Sequence, residues 1–140
     1  MNRIVLYAII GFMLLVSCTD NTPIVNEKAK NHFMKGNEFY KMEKFKKAIK
    51  EYNNALRYDK KYAMVYLKRG DCYRKLRKPQ NAIKDYTRVL KLRPSNARAW
   101  YHRGTLKIKL GKKQEGCDEV QRARALCYVP AETFYKEKCE

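Results

Sequence analysis

Five cysteines, two histidines and a large surplus of lysine and arginine are the side chains through which this 140-residue sequence could do chemistry. His32 and His102 stand far apart in unlike surroundings, and each reads as a packed or surface residue. No glycine-rich phosphate loop, paired-carboxylate motif or nucleophile elbow occurs, so nothing points to an enzyme and no cofactor is expected. Cys72, Cys117, Cys127 and Cys139 form no CxxC pair, which argues against zinc. What remains is charge. The formal net charge is +18, with lysine and arginine scattered along the chain and not confined to one stretch. Such a field favours an acidic protein segment, anionic lipid headgroups, an anionic cell-wall polymer or nucleic acid, and the same composition also suits solvated helix faces.

The first residues are read apart from the rest. Asn2 and Arg3 precede an apolar run from Ile4 to Val16. As a helix this run spans only about 20 Å, short of the roughly 20 residues that cross a bilayer, and it suits the core of a signal peptide. Leu15-Val16-Ser17-Cys18 resembles a bacterial lipobox, two aliphatic positions and a small residue before a cysteine. The resemblance implies a signal peptide over 1–17, lipidation of Cys18, a lipidated tether over 18–26 and a place in the bacterial cell envelope, with the outer membrane as the default. A signal peptide cut elsewhere and an uncleaved anchor are the alternatives. Export makes nucleic acid an unexpected partner.

These charges and cysteines need elements to place them, and the spacing of small residues supplies those. Gly36, Gly70 and Gly104 are 34 residues apart, and each is followed by Ala48, Ala82 or Gly116 and then by Tyr52, Tyr86 or Val120. One unit of this length cannot bury its own apolar face, so a fixed step of this kind marks stacked helical pairs. The repeats divide as 29–62, 63–96 and 97–130, each a helix A and a helix B. The inner faces are expected to carry Phe33, Phe39 and Met42, then Tyr66, Tyr73 and Leu76, then Trp100, Leu106 and Leu110 on the A helices. On the B helices they carry Ala48, Tyr52 and Leu56, then Ala82, Tyr86 and Leu90, then Cys117, Val120 and Leu126. Glycine inside a helix costs about 1 kcal/mol relative to alanine, so its recurrence predicts that A and B helices cross closely at the small residues. Residues 131–140 resemble the start of another helix A and would cap the last open face.

The 34-residue step, the aromatics around each glycine and the following alanine, aromatic, small residue and proline resemble tetratricopeptide repeats. The second copy fits best, with Tyr66, Gly70, Tyr73, Ala82, Tyr86, Val89 and Pro94. The first departs at His32 and Lys60, and the third at Lys107, Gly116 and Arg124. The resemblance implies an all-α fold, an α-solenoid of three helix-turn-helix repeats plus a C-terminal capping helix over 27–140. It also implies a concave groove that holds a partner's peptide or helix. The groove positions are Lys30, Phe33, Asn37, Tyr40 and Lys41 in the first repeat. The second supplies Met64, Leu67, Asp71, Arg74 and Lys75, and the third Arg98, Tyr101, Thr105, Ile108 and Lys109. That mixture suits an acidic peptide with apolar anchors. Some members hold a partner's terminal carboxylate. Asn37 and Arg98 fall at matching places, while Phe33, Lys68 and His102 do not, so that clamp is not assigned.

Cys117 falls on an expected inner face and Cys139 in the segment expected to pack against it. A Cys117–Cys139 disulfide is one reading and four unbonded thiols the other. The functional expectation is an envelope-anchored adaptor or assembly factor that binds a segment of an envelope protein. The alternative is a domain held electrostatically on anionic lipid or cell-wall polymer.

Overall fold

Asn26 opens the first helix, its side-chain oxygen accepting the Lys28 and Ala29 amides at 3.0 and 3.4 Å. This satisfies two of the donors that a helix start leaves bare. From there the computed structural model describes residues 26–140. Cys18, the signal-peptide reading and all of the tether before Asn26 lie outside the described residues. Seven helices follow: α1 Glu27–Lys41, α2 Phe45–Tyr58, α3 Ala63–Lys75, α4 Pro79–Leu92, α5 Ala97–Lys109, α6 Lys113–Ala125 and α7 Val129–Lys138. None of the described helices is long and apolar enough to cross a membrane.

Three tight turns join each A helix to its B helix. Glu43, Arg77 and Gly111 hold them at φ 56°, 55° and 83°. This is the left-handed conformation that ends helices, and only Gly111 adopts it without a Cβ penalty. The core is a series of three clusters, each centred on a B helix and filled by the A helices on both sides. Tyr52, Ala55 and Leu56 of α2 meet Val65 and Cys72 of α3. Tyr86, Val89 and Leu90 of α4 meet Leu67 of α3 with Ala99 and Leu106 of α5. Val120 and Ala123 of α6 meet Ala131 of α7. Without α7 that last cluster would open to water, which is why a stacked fold requires a cap.

The expected inner faces need three corrections. Met42, Leu110 and Leu126 are 60, 42 and 41 % exposed, because each is a helix C-cap already turning out of the stack. The close crossing at paired small residues is a direct backbone contact in the third repeat. There a Cβ on Gly104 would meet the Gly116 carbonyl oxygen at 2.6 Å. In the first two repeats the glycine makes room for a tyrosine ring, since a Cβ on Gly36 or Gly70 would meet Tyr52 or Tyr86 at 2.5 and 2.9 Å. The cap also starts early, at Val129 instead of 131. Cys127 adopts φ 59°, so α6 ends in a tight left-handed turn where α2 and α4 end in extended residues.

The departures of the third repeat serve this end of the stack. Arg124, in place of a buried leucine, binds both carboxylate oxygens of Glu132 on α7 at 2.8 and 3.2 Å and lies over the Tyr135 ring. Lys107, in place of an aromatic, pairs with Glu119 and Glu115 of α6. Cys117 and Cys139 are bonded, with Cα atoms 5.6 Å apart, and tie α6 to the end of α7. On the loop-entropy account a bridge across a sequence separation of 22 residues stabilises by about 3 kcal/mol.

Candidate functional site

A second 34-residue rhythm, in charged residues, sets the A helices against the B helices. Arg69 of α3 grips both oxygens of Asp85 on α4 at 2.6 and 2.8 Å and reaches back to Asn53 of α2. Arg103 of α5 repeats this with Glu119 of α6 at 2.7 and 2.8 Å and Thr87 of α4. In the first repeat Lys35 and His32 share Glu51. Bidentate pairs fix angle as well as distance, so in the second and third repeats these stitches hold the A helix in one pose on its own B helix and on the one before. Tyr66 and Trp100, also one step apart, each carry two guanidinium groups on their rings, Arg69 and Arg88 on the first, Arg103 and Arg122 on the second. Sequence reasoning missed these stitches. The signal was present as cations at 35, 69 and 103, each 16 residues before a carboxylate at 51, 85 and 119.

Between the stitched helices, the positions of α1, α3 and α5 expected to line a groove fall into three groups. Tyr40, Asp71, Arg74, Arg98 and Tyr101 come together. Asp71 is fully buried and accepts the Tyr86 hydroxyl at 2.8 Å on one oxygen and the Arg98 guanidinium on the other, with Arg74 at 3.9 Å. Two guanidinium groups thus share one carboxylate. Both stay about a third exposed, and their Nε atoms are buried with no hydrogen-bond partner. Tyr40 borders them, its phenol pKa raised by burial and by the Asp71 charge, and Lys68 sits over its ring. On the far side Tyr101 packs on His102, Tyr128 and Phe134 at 5.2 to 5.7 Å.

A second group is consumed by the fold. Leu67 lies in the central cluster and is 4 % exposed, because α3 turns that side toward α4 and α5. Thr105 is buried with its hydroxyl donated to the His102 carbonyl at 3.0 Å. Ile108 packs against the third cluster and Gly116. These three are not open groove positions, and Asp71 faces Arg98 and Tyr86 instead of solvent. Phe33 leans on Tyr52 and Tyr62, and Asn37 accepts the Tyr52 hydroxyl at 2.8 Å. In the third group Lys30 and Met64 are exposed at the start of their helices, and Lys41, Lys75 and Lys109 at the end.

His102, Lys68, Tyr128 and Phe134 join the site although sequence reasoning did not assign them to it. His102 stacks on Tyr86 at 5.7 Å, and burial with the nearby Arg74 charge pushes its pKa down to about 4. It is therefore a neutral aromatic wall at pH 7. The buried Cys72 thiol is pushed up to about 12, so it is no nucleophile. The arrangement has no residue poised for bond making. What it offers is a positive, aromatic-walled patch on rigid helices.

Comparisons with known proteins agree with this architecture. A family model described as TPR repeat matches residues 36–76, and one described as Tetratricopeptide repeat matches 63–96. No curated protein sequence matches. The second TPR domain of Spaghetti (RPAP3), solved with the HSP90 peptide SRMEEVD, is 30 % identical at TM-score 0.68, covering 71 % of this chain and 92 % of that one. The second TPR domain of human RPAP3, solved with the HSP70 peptide SGPTIEEVD, is 28 % identical at TM-score 0.75, covering 81 and 97 %. The Arabidopsis OM64 TPR domain is 26 % identical at TM-score 0.76, covering 79 and 93 %. In repeat length, helix pairing and glycine–aromatic packing, and in its likeness to these domains, the chain belongs to the tetratricopeptide repeat family.

Proposed function

We propose that this domain is a protein-interaction module that receives an acidic, apolar-anchored peptide or helix along α1, α3 and α5, and that it serves as an adaptor or assembly factor held at a bacterial envelope by lipid on Cys18. The observation that carries the peptide reading is the surplus of positive charge around Asp71. One buried carboxylate cannot neutralise both Arg74 and Arg98, so an incoming carboxylate completes the pairing while Tyr40 and Tyr101 supply apolar area. The two RPAP3 domains were solved with peptides ending in Glu-Glu-Val-Asp, which is the same ligand chemistry. The grip on the ligand differs, because Phe33 packs inward and His102 is neutral and stacked, so the peptide's terminal carboxylate is not the main handle.

A displayed peptide library panned on the purified protein tests this. Enrichment of acidic sequences carrying an aliphatic or aromatic residue is expected, with affinity falling at least tenfold in Arg74→Gln/Arg98→Gln and changing less than threefold when the peptide C-terminus is amidated, given that a charged hydrogen bond contributes about 1.5–3 kcal/mol. A library with no acidic enrichment would sink the reading. Anchoring is tested separately by metabolic labelling with an alkynyl palmitate, which the Cys18→Ser variant should lose.

A further inference from the structure

The carboxylates of this protein are spent unevenly, and that leaves one edge of the solenoid densely basic. Glu51, Asp71, Asp85 and Glu119 are buried in ion pairs between helices. The three turns from A helix to B helix, residues 41–47, 75–81 and 109–115, carry ten lysines and arginines against two acids, Glu43 and Glu115. All ten are exposed, and among the described residues only Lys112 has an ion-pair partner, Glu115 at 3.7 Å. Other unpaired cations are spread over helix faces and the opposite turns, but these three short turns concentrate theirs at one edge.

The three turns form one continuous edge. Leu76 of the second turn lines a cleft of about 310 Å³ with Glu43, Lys44, Phe45, Lys46 and Lys47 of the first. Leu110 and Lys112 of the third line one of about 610 Å³ with Gln80, Asn81, Ile83 and Lys84 next to the second. Exposed Met42 and Leu110, two 34-residue steps apart with Leu76 midway between them, stand among the lysines. We infer that this edge, from Met42 through Leu76 to Leu110, lies against an anionic phospholipid surface, with the apolar side chains at headgroup depth and the lysines on lipid phosphates.

The choice of cation favours lipid over a protein partner. Inside the fold, where one carboxylate must be held in one orientation, the cation is usually arginine: Arg69, Arg98, Arg103 and Arg124. Along the edge nine of the ten are lysine. Lysine is a flexible point charge without the planar fork that reads a fixed carboxylate, and its long stem lets the head follow a fluid surface while methylenes cover apolar area. Each basic residue near an anionic membrane contributes about 1 kcal/mol, or about fivefold in the contact equilibrium, so ten make a strong attraction even when screened. The eight residues between Cys18 and Glu27 can extend to roughly 27 Å, longer than the ~22 Å of α1, so anchoring at Cys18 is compatible with contact along this edge. The inference does not depend on that anchor.

Lysine acetylation footprinting of the full-length protein on two kinds of vesicle, phosphatidylcholine alone and phosphatidylcholine with phosphatidylglycerol, tests it. At low salt, Lys44, Lys46, Lys78, Lys112 and Lys113 should react at least fivefold more slowly on the anionic vesicles than on the neutral ones. Lys60 and Lys61, on the turn between α2 and α3, and Lys91, in the last turn of α4, lie at the opposite edge and should react alike on both. Lys46→Gln/Lys47→Gln/Lys78→Gln/Lys112→Gln should release the protection of Lys44 and Lys113, whereas Lys60→Gln/Lys61→Gln/Lys91→Gln should leave it. Equal reactivity on both vesicles would overturn the inference, as would protection of the opposite edge instead. Protection by soluble polyglutamate but not by anionic vesicles would overturn it in favour of an acidic protein. Peptide binding by Arg74 and Arg98 is read separately, so either proposal can fail alone.

Discussion

In the second repeat the ring of Tyr86 fills the space that Gly70 leaves open, and its hydroxyl continues to Asp71, which Arg98 and Arg74 share. In the third, Val120 stands one step later at the same place, Gly104 lies against the backbone of Gly116, and Thr105 occupies the Asp71 position with its hydroxyl turned onto its own helix. One copy uses an aromatic spacer that is also a wire to the surface. The other brings two backbones together and must find its stability elsewhere, in a disulfide and in the Arg124–Glu132 pair. A solenoid can thus keep its step while moving its fully buried carboxylate and its covalent cross-link into different copies.

The largest expected contrast comes from adding one methyl group. Gly116→Ala places a Cβ against the Gly104 carbonyl and the Ile108 amide, which are backbone and cannot swing aside, so it should destabilise by about 3 kcal/mol even after alanine's better helix propensity. Gly70→Ala meets the edge of a ring and should cost only about 1 kcal/mol. Urea midpoints of the two variants decide the matter, and equal losses would erase the comparison.

Breaking the Cys117–Cys139 bond through Cys139→Ser should remove about 3 kcal/mol by the loop-entropy account. The loss should be local, seen as faster amide exchange in α7 and the end of α6, with the second repeat unchanged. Faster exchange everywhere would mean that the repeats unfold as one.

Acid probes the seam between the two copies. His102 is held at a pKa of about 4, below its ordinary 6.5, so between those values the unfolded chain binds a proton that the folded chain refuses. Stability is therefore full above pH 6.5 and falls as pH drops toward 4, by at most about 3 kcal/mol. His102→Phe should flatten that window in a series of urea melts, and an unchanged slope would assign the pH dependence to other groups.

The smallest effect separates the turns. Arg77 holds φ 55° where Gly111 holds 83°, so Arg77→Gly should stabilise the second repeat by roughly 0.5–1 kcal/mol, read as a small rise in the urea midpoint. A loss of stability would mean that the arginine side chain makes a contact worth more than the backbone strain.

The repeat boundaries, the helix pairs and the need for a cap were legible because they follow from the step between small and aromatic residues. Of the expected groove positions, Tyr40, Arg74, Arg98 and Tyr101 come together on the folded chain. Leu67, Thr105 and Ile108 were not separable from them, because a residue on the same helical stripe points at solvent or at the next helix according to a rotation that one sequence does not specify. Met42, Leu110 and Leu126 misled for a related reason: apolar periodicity runs on to the last residue of a helix, while the chain has already begun to turn.

By itself the sequence determined that the chain stacks in 34-residue helical pairs, since a unit so short must bury its apolar face on its neighbours. It also set the total charge. Which charges remain free was decided only by the tertiary structure, because a carboxylate neutralises the cation that packing brings within a few ångströms. Packing took Glu51, Asp71, Asp85 and Glu119 into the seams between helices and left the lysines of the turns facing out.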